Sequence, residues 1–455
     1  MGISIGLNSA MRALLAQQQA MDAVAHNIAN ANTPGYSRQR VVFAQAPSGS
    51  SNGVGGGVDV KSIERQHDRF IDIQARTENG TAGDYHARAT SLSFVEATLG
   101  QSGPGGLRDA MDQFFNSWRD LANAPEQSAV RTGVVAAAEA FSLTANQVVR
   151  SLTDLRADAD SRISTDIAEV NSLADRVASL NGQILEARAA GNPASDISDE
   201  RDLALNRLSQ LVDVYTVESD SGSMDVFVGG RSLVLNKSAH HLDVVRDPLN
   251  NNYGDPVWEA DATPVAIRSG EIGGLLHQRD TDIPARIADL DALVARIATD
   301  VNAAHAAGYA LDGVTTGTVF FTGTTAATIN VDTAIVADPS LLAAATAAGS
   351  AGDGRNALAI AALQQAPSMS GGTEDYSTFL NGIITSVAVA TRSTQGLADS
   401  QEMRLNHLDS LRQSISGVNL DEEMVSMVQY QRGYEAAARV IRAIDDMLDS
   451  LLRFA

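Results

Sequence analysis

With 455 residues, 44% of them apolar, the chain can bury at least one full core and is long enough for two to four structural units. Its 55 acidic side chains outnumber 33 basic ones, and a net charge of −22 repels a phosphate backbone, so nucleic acid is not an expected partner. The absence of cysteine removes disulfides, thiolate catalysis and cysteine metal sites.

The opening MGISIGLNS lacks a basic segment followed by an apolar one, so no ordinary secretory signal peptide is expected. Gly6 stands where a myristoylation pattern needs Ser or Thr. No run of about 18 apolar residues occurs, so no membrane insertion is expected, and on these grounds alone the default location is the cytoplasm.

Leu7, Met11, Leu14, Gln18, Met21, Ala25 and Ile28 recur at 4-3-4-3 spacing, the narrow seam of a coiled-coil helix. Asn8 or Ser9 can cap it, Pro34 ends it, and its expected length is roughly 33 Å. From His26 to Arg38 the residues read as a helix C-terminus, with Asn side chains bonding the last carbonyls and Pro34-Gly35 turning the chain. Gln39 to Phe43 is strand-like, 46–57 is a Gly/Ser connector, and 58–64 alternates as a second strand. The glycines at 53 and 55–57 do not make a phosphate-cradling loop, because Val58 occupies the final glycine position.

Helices are predicted over 66–79, 84–99 and 107–123, the last with Leu107, Met111, Phe114, Phe115, Trp118 and Leu121 on one core-facing stripe. Between Pro125 and Pro193 no proline interrupts the apolar recurrence, which implies a helical hairpin or one very long rod. A helix at 199–212 follows. The period then changes from 3.6 to 2, and Gly229-Gly230 between apolar runs marks a β-hairpin, with further strands expected at 241–246, 257–261 and 264–268. Helix returns over 282–307, a second short β candidate lies at 313–336, a loop at 345–354, and a long helix over 374–416. The final helix opens at Asn419 with a capping box to Glu422 and carries Met424, Met427, Gln431, Tyr434, Ala438, Ile441, Leu448 and Leu452 near heptad spacing. The two terminal helices are expected to bury their seams against each other.

Candidate chemistry is sparse. His241 and Asp243 share one face of a strand while His240 faces the other way, and two ligands do not close a metal site. Glu64, His67 and Asp68 read as a strand–helix junction. No HExxH, GxSxG or GxxxxGK[ST] motif occurs, so no catalytic, cofactor-binding or metal residues are assigned.

The string NIANANTPGYSR, residues 27–38, resembles the N-terminal signature of the flagellar axial proteins of rod, hook and junction. Its Thr-Pro-Gly-Tyr-Ser-Arg version favours the hook-associated members at the hook-filament junction over rod and hook proteins, which tend toward a Gly-Phe version. Ser416 to Met424, SGVNLDEEM, resembles the motif that opens the C-terminal helix of the same family, and the helical middle and the MDVFVGG hairpin extend the likeness over nearly the whole chain.

The resemblance implies a mainly α fold with a smaller β part, a long helical bundle in radial layers. These are a terminal coiled coil of 1–40 plus 416–455, an elongated helical domain of 41–213 plus 271–312 plus 337–415, and an outer β-rich module of 214–270 with a possible short β segment at 313–336. It implies that a large outer domain is reduced or missing. It also implies a structural, non-enzymatic role joining hook to filament, with type III export to the extracellular flagellum without a cleaved signal. The partners implied are the hook protein, a second junction protein, copies of the chain in a ring and an export chaperone at the C-terminal helix. Residues implied in subunit packing are Leu7, Met11, Leu14, Met21, Asn27, Ile28, Asn30, Asn32, Pro34, Gly35 and Tyr36 at one end, and Asn419, Met424, Tyr434, Ile441 and Leu448 at the other. Two other readings are a secreted enzyme with its site within 214–336 and a cytoplasmic coiled-coil scaffold. Because one two-helix seam barely offsets the roughly 1 to 2 kcal/mol of backbone entropy per ordered residue, both termini are expected to be mobile in the isolated subunit.

Overall fold

The computed structural model describes residues 2–47, 56–100 and 105–454, and it is mainly helical with a smaller β part. Helix α1 spans Gly2–Ala29, about 42 Å at 1.5 Å per residue. It begins well before Asn8 and Ser9, which therefore lie inside the helix and are not its cap. Strands β1 (Gln39–Gln45) and β2 (Val58–Arg65) form an antiparallel hairpin whose register slips between Val42 and Phe43. Most of the expected Gly/Ser connector lies outside the described residues. The hairpin rests on α1: Val41 packs with Ala20 and Ala23, and Gly57 sits so close that a Cβ there would meet Ser9 Oγ at 2.8 Å.

Helix α2 runs unbroken over Arg69–Leu99, where two helices were expected from Gly80 and Gly83. A Cβ at Gly83 would collide with the Gln210 carbonyl, and one at Gly80 would meet Ser209 O at 3.3 Å. These glycines admit a neighbouring segment. Each costs helix stability by up to about 1 kcal/mol relative to alanine, which close packing offsets. Helix α3 (Leu107–Asn123) matches its prediction, and the proline-free stretch is one rod, α4 (Ser128–Ala189), about 93 Å long. It ends at Gly191, whose φ of +83° turns the chain into α5 (Ser195–Leu211).

Strands β3 (Val214–Glu218), β4 (Met224–Val228), β5 (Arg231–Leu235) and β6 (Ser238–Ala239) form a meander in sequence order, with Gly229 and Gly230 both at positive φ in the tight turn. Strands β7 (Leu242–Asp247) and β8 (Tyr253–Trp258) make a separate hairpin, so the strand expected at 257–261 sits earlier, and 264–268 contributes only a bridge at Pro264. These strands share a core with the helices: Val226, Val228, Leu233 and Trp258 pack with Ile163, Val170, Val177 and Leu208. Arg279, fully buried, bonds Asp160 Oδ1 at 2.8 Å and the Gly254 carbonyl at 2.6 Å, which ties the β7–β8 hairpin to α4.

Helix α6 (Gly270–His277) continues through a π-turn at Gln278–Asp282 into α7 (Ile283–Ala306). Helix α6 is not foreseen from the sequence because its glycines blur the pattern; a Cβ at Gly274 would meet Asp84 O at 2.7 Å on α2. In the expected β stretch at 313–336 only β9 (Phe321–Thr322) and β10 (Asn330–Val331) are strands, followed by the short α8 (Thr333–Ala337). Another unpredicted helix, α9 (Arg355–Ala362), precedes α10 (Tyr376–Ser416) and α11 (Leu420–Phe454). The larger core joins α3, α4, α7, α9 and the first half of α10 around Phe114, Phe115, Trp118, Phe141, Phe320 and Phe321. Beyond Val387, α10 lies antiparallel to α2, with Thr391 beside Leu92, Gln401 bonded to Glu78 and Arg412 facing Asp72.

Candidate assembly interface

The two terminal helices pair in antiparallel fashion. A Cβ at Gly6 would touch Ile444 Cδ1 at 3.4 Å, one at Gly433 would meet Gln17 within 2.9 Å, and Asn27 bonds Glu423. The buried row of α1 is small: Ala10, Ala16, Ala20, Ala23 and Val24, ending at Asn27. Small side chains let α11 and the β1–β2 hairpin both close onto one helix.

The apolar 4-3 seam read from the sequence therefore lies at the edge of this contact and not at its centre. Leu7, Leu14, Met21 and Ile28 are half-buried, and Met11 is 50% exposed. On α11 the seam is rotated by about one residue. Glu423, Ala437 and Ile444 are buried, Tyr434 and Ile441 are half-buried, and Met424 and Leu448 are exposed. Leu420, Met424, Val425 and Val428, at i, i+4, i+5 and i+8, share an outward face of α11, while Met11 and Leu15 share the outward face of α1. Met424 is 61% and Val425 69% exposed. Large apolar side chains on the outside and alanine inside is the reverse of a self-sufficient coiled coil.

The residues that follow α1 form a polar joint to the rest of the molecule. Asn27, 1% exposed, donates from Nδ2 to the Gln39 carbonyl (2.9 Å) and to Glu423 Oε2 (3.0 Å), while its Oδ1 accepts from Tyr36 Oη (2.8 Å) and the Gln39 N–H (2.9 Å). All four of its hydrogen-bonding positions are used. Asn30 donates to the His26 carbonyl at 3.1 Å, the capping role its sequence context suggested. Gly35 has φ +79°, a backbone conformation that favours glycine, and a Cβ there would displace the exposed Leu203 side chain. Asn32 and Pro34 are exposed. Burial, reinforced by Asp196, Asp199 and Glu423, pushes the Tyr36 hydroxyl up, so it stays a neutral donor.

The two terminal motifs supply several members of this joint, whereas Arg65, Asp199 and Asp202 carried no signal in the sequence. Arg38 pairs with Glu422 at 3.0 Å and with buried Glu423 at 2.7 Å, and its N–H donates to the Ser416 carbonyl. The Ser37 N–H donates to Asp199 Oδ2 at 2.9 Å. Arg65 bridges Asp199 (2.8 Å) and Asp202 (2.7 Å). Burial pushes the Asp199 carboxyl up against the pull of Arg65; Asp202 is also buried, yet Arg65, Arg76 and Arg201 together hold it below its ordinary value. Asn419 Oδ1 accepts from Asp421 N–H at 3.0 Å, so Asn419 does cap α11. The expected box does not close, because Glu422 is engaged with Arg38. Far from the joint, His241 lies between Asp175 (3.0 Å) and Glu259 (3.5 Å).

A rod-like body carrying an antiparallel pair made from its own two ends, with apolar faces left outward, is the architecture of a flagellar axial protein, and both ends match models of that class. Residues 7–36 match the flagella basal body rod protein model and 412–454 the flagellar basal body rod FlgEFG protein C-terminal model. Residues 92–321 match the flagellar hook-associated protein FlgK helical domain. Flagellar hook-associated protein 1 of Bacillus subtilis is 31% identical over 494 aligned positions, covering 98% of this chain and 97% of that relative. The Escherichia coli protein of the same name is 25% identical over 541 positions, covering 98% and 99%; that alignment is longer than the 455 residues here, so this relative carries segments without a counterpart. The flagellar hook junction protein FlgK of Burkholderia pseudomallei shares the fold, with a TM-score of 0.67 at 16% identity over 76% of this chain and all of that one. The chain belongs to the flagellar hook-associated protein 1 family and is a structural protein of the bacterial flagellum.

Proposed function

We propose that the chain is the mechanical adaptor that joins hook to filament, assembled purely by subunit packing. The observation that carries this is the outward apolar surface of the terminal pair, Leu420, Met424, Val425 and Val428 on α11 and, farther along the pair, Met11 and Leu15 on α1. Neighbouring subunits would cover that face. Burying each large side chain then stabilises the assembly by roughly 1.5 to 3 kcal/mol, and a ring of copies sums this over every contact.

The joint fixes the angle between the terminal pair and the helical body, so force passing through the pair reaches a stiff rod. In this reading the terminal coiled coil lies nearest the axis, the helical body outside it and the strands farther out. One end of the subunit meets the hook protein, and the other meets a second junction protein. Leu7, Leu14, Met21, Ile28, Tyr434, Ile441 and Leu448 lie at the margin of the intersubunit contact. Export through the type III apparatus without a cleaved signal, with a chaperone on the exposed α11 face before assembly, fits the same surface.

Met424→Asp tests the reading. Purified variant should be absent from sheared flagella while the body around Phe114 and Trp118 melts as in the parent. Normal incorporation of this variant would refute the packing role of the α11 face.

A further inference from the structure

Where β2 hands over to α2, a cavity of about 130 Å³ lies beside α5 and β3. Arg65, His67, Arg69, Arg76 and Arg201 contribute to its walls, together with Asp72, Asp202 and Glu218. Arg188 reaches Glu218 at 3.9 Å and Arg412 reaches Asp72 at 3.7 Å, while Asp199 takes Arg65. Six guanidiniums thus converge on four carboxylates, in a chain whose acidic residues outnumber its basic ones by 55 to 33. The imbalance is local and opposite in sign to the whole protein.

Arg201 is the focus. It is 2% exposed, its Nη1 donates to Asn181 Oδ1 (3.0 Å) and the Gly222 carbonyl (2.7 Å), and its buried Nε has no hydrogen-bond partner. Among the described residues no carboxylate bonds it directly: Asp202 is taken by Arg65 and Arg76, and Glu218 by Arg69, and both act on Arg201 only through space. Burial accordingly lowers the Arg201 guanidinium to about 10. Burial also pushes up the carboxyl of Asp72, another residue of the cavity wall. Arg201 shares the charges of Asp202 and Glu218 with other guanidiniums and is left under-compensated in a buried place, and the cavity beside it is where a further anion can be supplied.

We propose that this cavity binds a small tetrahedral oxyanion of the phosphate or sulfate class. Its oxygens accept from Arg201, from Arg69, which is 67% exposed and able to swing over the mouth, and from the His67 ring. A bound anion would tie the start of α2, α5 and β3 together just below the polar joint.

The test is titration of the full chain with inorganic phosphate at constant ionic strength set by chloride, followed by ³¹P line broadening and by the melting temperature. Saturable binding is expected. Arg201→Met should weaken it about tenfold or more, the value of one charged hydrogen bond. Arg69→Ser, at an exposed position that does not endanger folding, should weaken it as well. Phosphate that stabilises no more than chloride, or Arg69→Ser titrating like the parent, would overturn the site. Acetate binding as tightly as phosphate would overturn the tetrahedral class.

Discussion

Replacing Glu423 by alanine removes the buried carboxylate that α11 contributes to the joint between the terminal pair and the body. Glu423 accepts from Arg38 Nε at 2.7 Å and from Asn27 Nδ2 at 3.0 Å, and its side chain is 2% exposed. Asn27 keeps the Gln39 carbonyl as an acceptor, and Arg38, 28% exposed, keeps Glu422. The loss is therefore one charged buried hydrogen-bond pair without a stranded charge, about 2 to 3 kcal/mol. Glu422→Ala breaks a pair whose carboxylate is 59% exposed, worth about 0 to 1 kcal/mol. Hydrogen exchange on assembled hook-junction complexes reads the difference at the Gln39 amide, which donates to Asn27 Oδ1. Glu423→Ala should speed its exchange roughly 30- to 150-fold and Glu422→Ala by less than about fivefold. Equal effects from the two variants would refute the assignment of the joint's strength to the buried Asn27–Glu423–Arg38 group.

The body should weaken in mild acid through His305. This ring is fully buried, with Nδ1 donating to the Thr318 carbonyl (2.9 Å) and Nε2 accepting from Ala343 N–H (3.0 Å), and burial, helped by Arg131, lowers its affinity for a proton. The folded state holds the neutral ring, so this contribution is complete above the unfolded value near 6.5 and is lost as pH falls through and below it. Melting curves of parent and His305→Gln should therefore converge as pH drops from about 7 toward 5, and a constant gap would contradict the neutral tautomer. Alanine at His240, His241 and Asp243 together should leave assembly and swimming intact; a folded, exported but non-motile variant would point to chemistry at that strand.

Long, proline-free segments were legible because helical periodicity survives any tertiary context: 107–123, the rod at 128–189 and the two long C-terminal helices all follow from it. Misses fall where glycine serves close packing. Gly80 and Gly83 look like a break but let α2 meet the last turn of α5 and the start of α6, and Gly274 hides α6 for the same reason. The ends of the chain were read in the wrong rotation, because a 4-3 row of Leu and Met reports which face will be covered without saying by what. Inside one subunit the alanine row of α1 is the face covered by α11 and the β1–β2 hairpin together. The two terminal motifs pointed to the family, and the second contains Glu423, but neither string shows that Asn27 and Glu423 bond each other, and Asp199 and Arg65 lie far along the chain with no local pattern to mark them.

Central to this account is that neighbouring subunits complete the terminal pair, whose outward faces carry Met11, Leu15, Met424 and Val425. Hydrogen exchange of residues 5–29 and 420–450, compared between dilute monomer and assembled junctions, measures this directly. Weak protection in the monomer and strong protection in the assembly is the predicted result, with the body around Phe114 and Phe141 protected in both. Equally strong protection of both termini in dilute monomer would mean that the pair needs no neighbours, and would contradict the assembly role assigned to its exposed face.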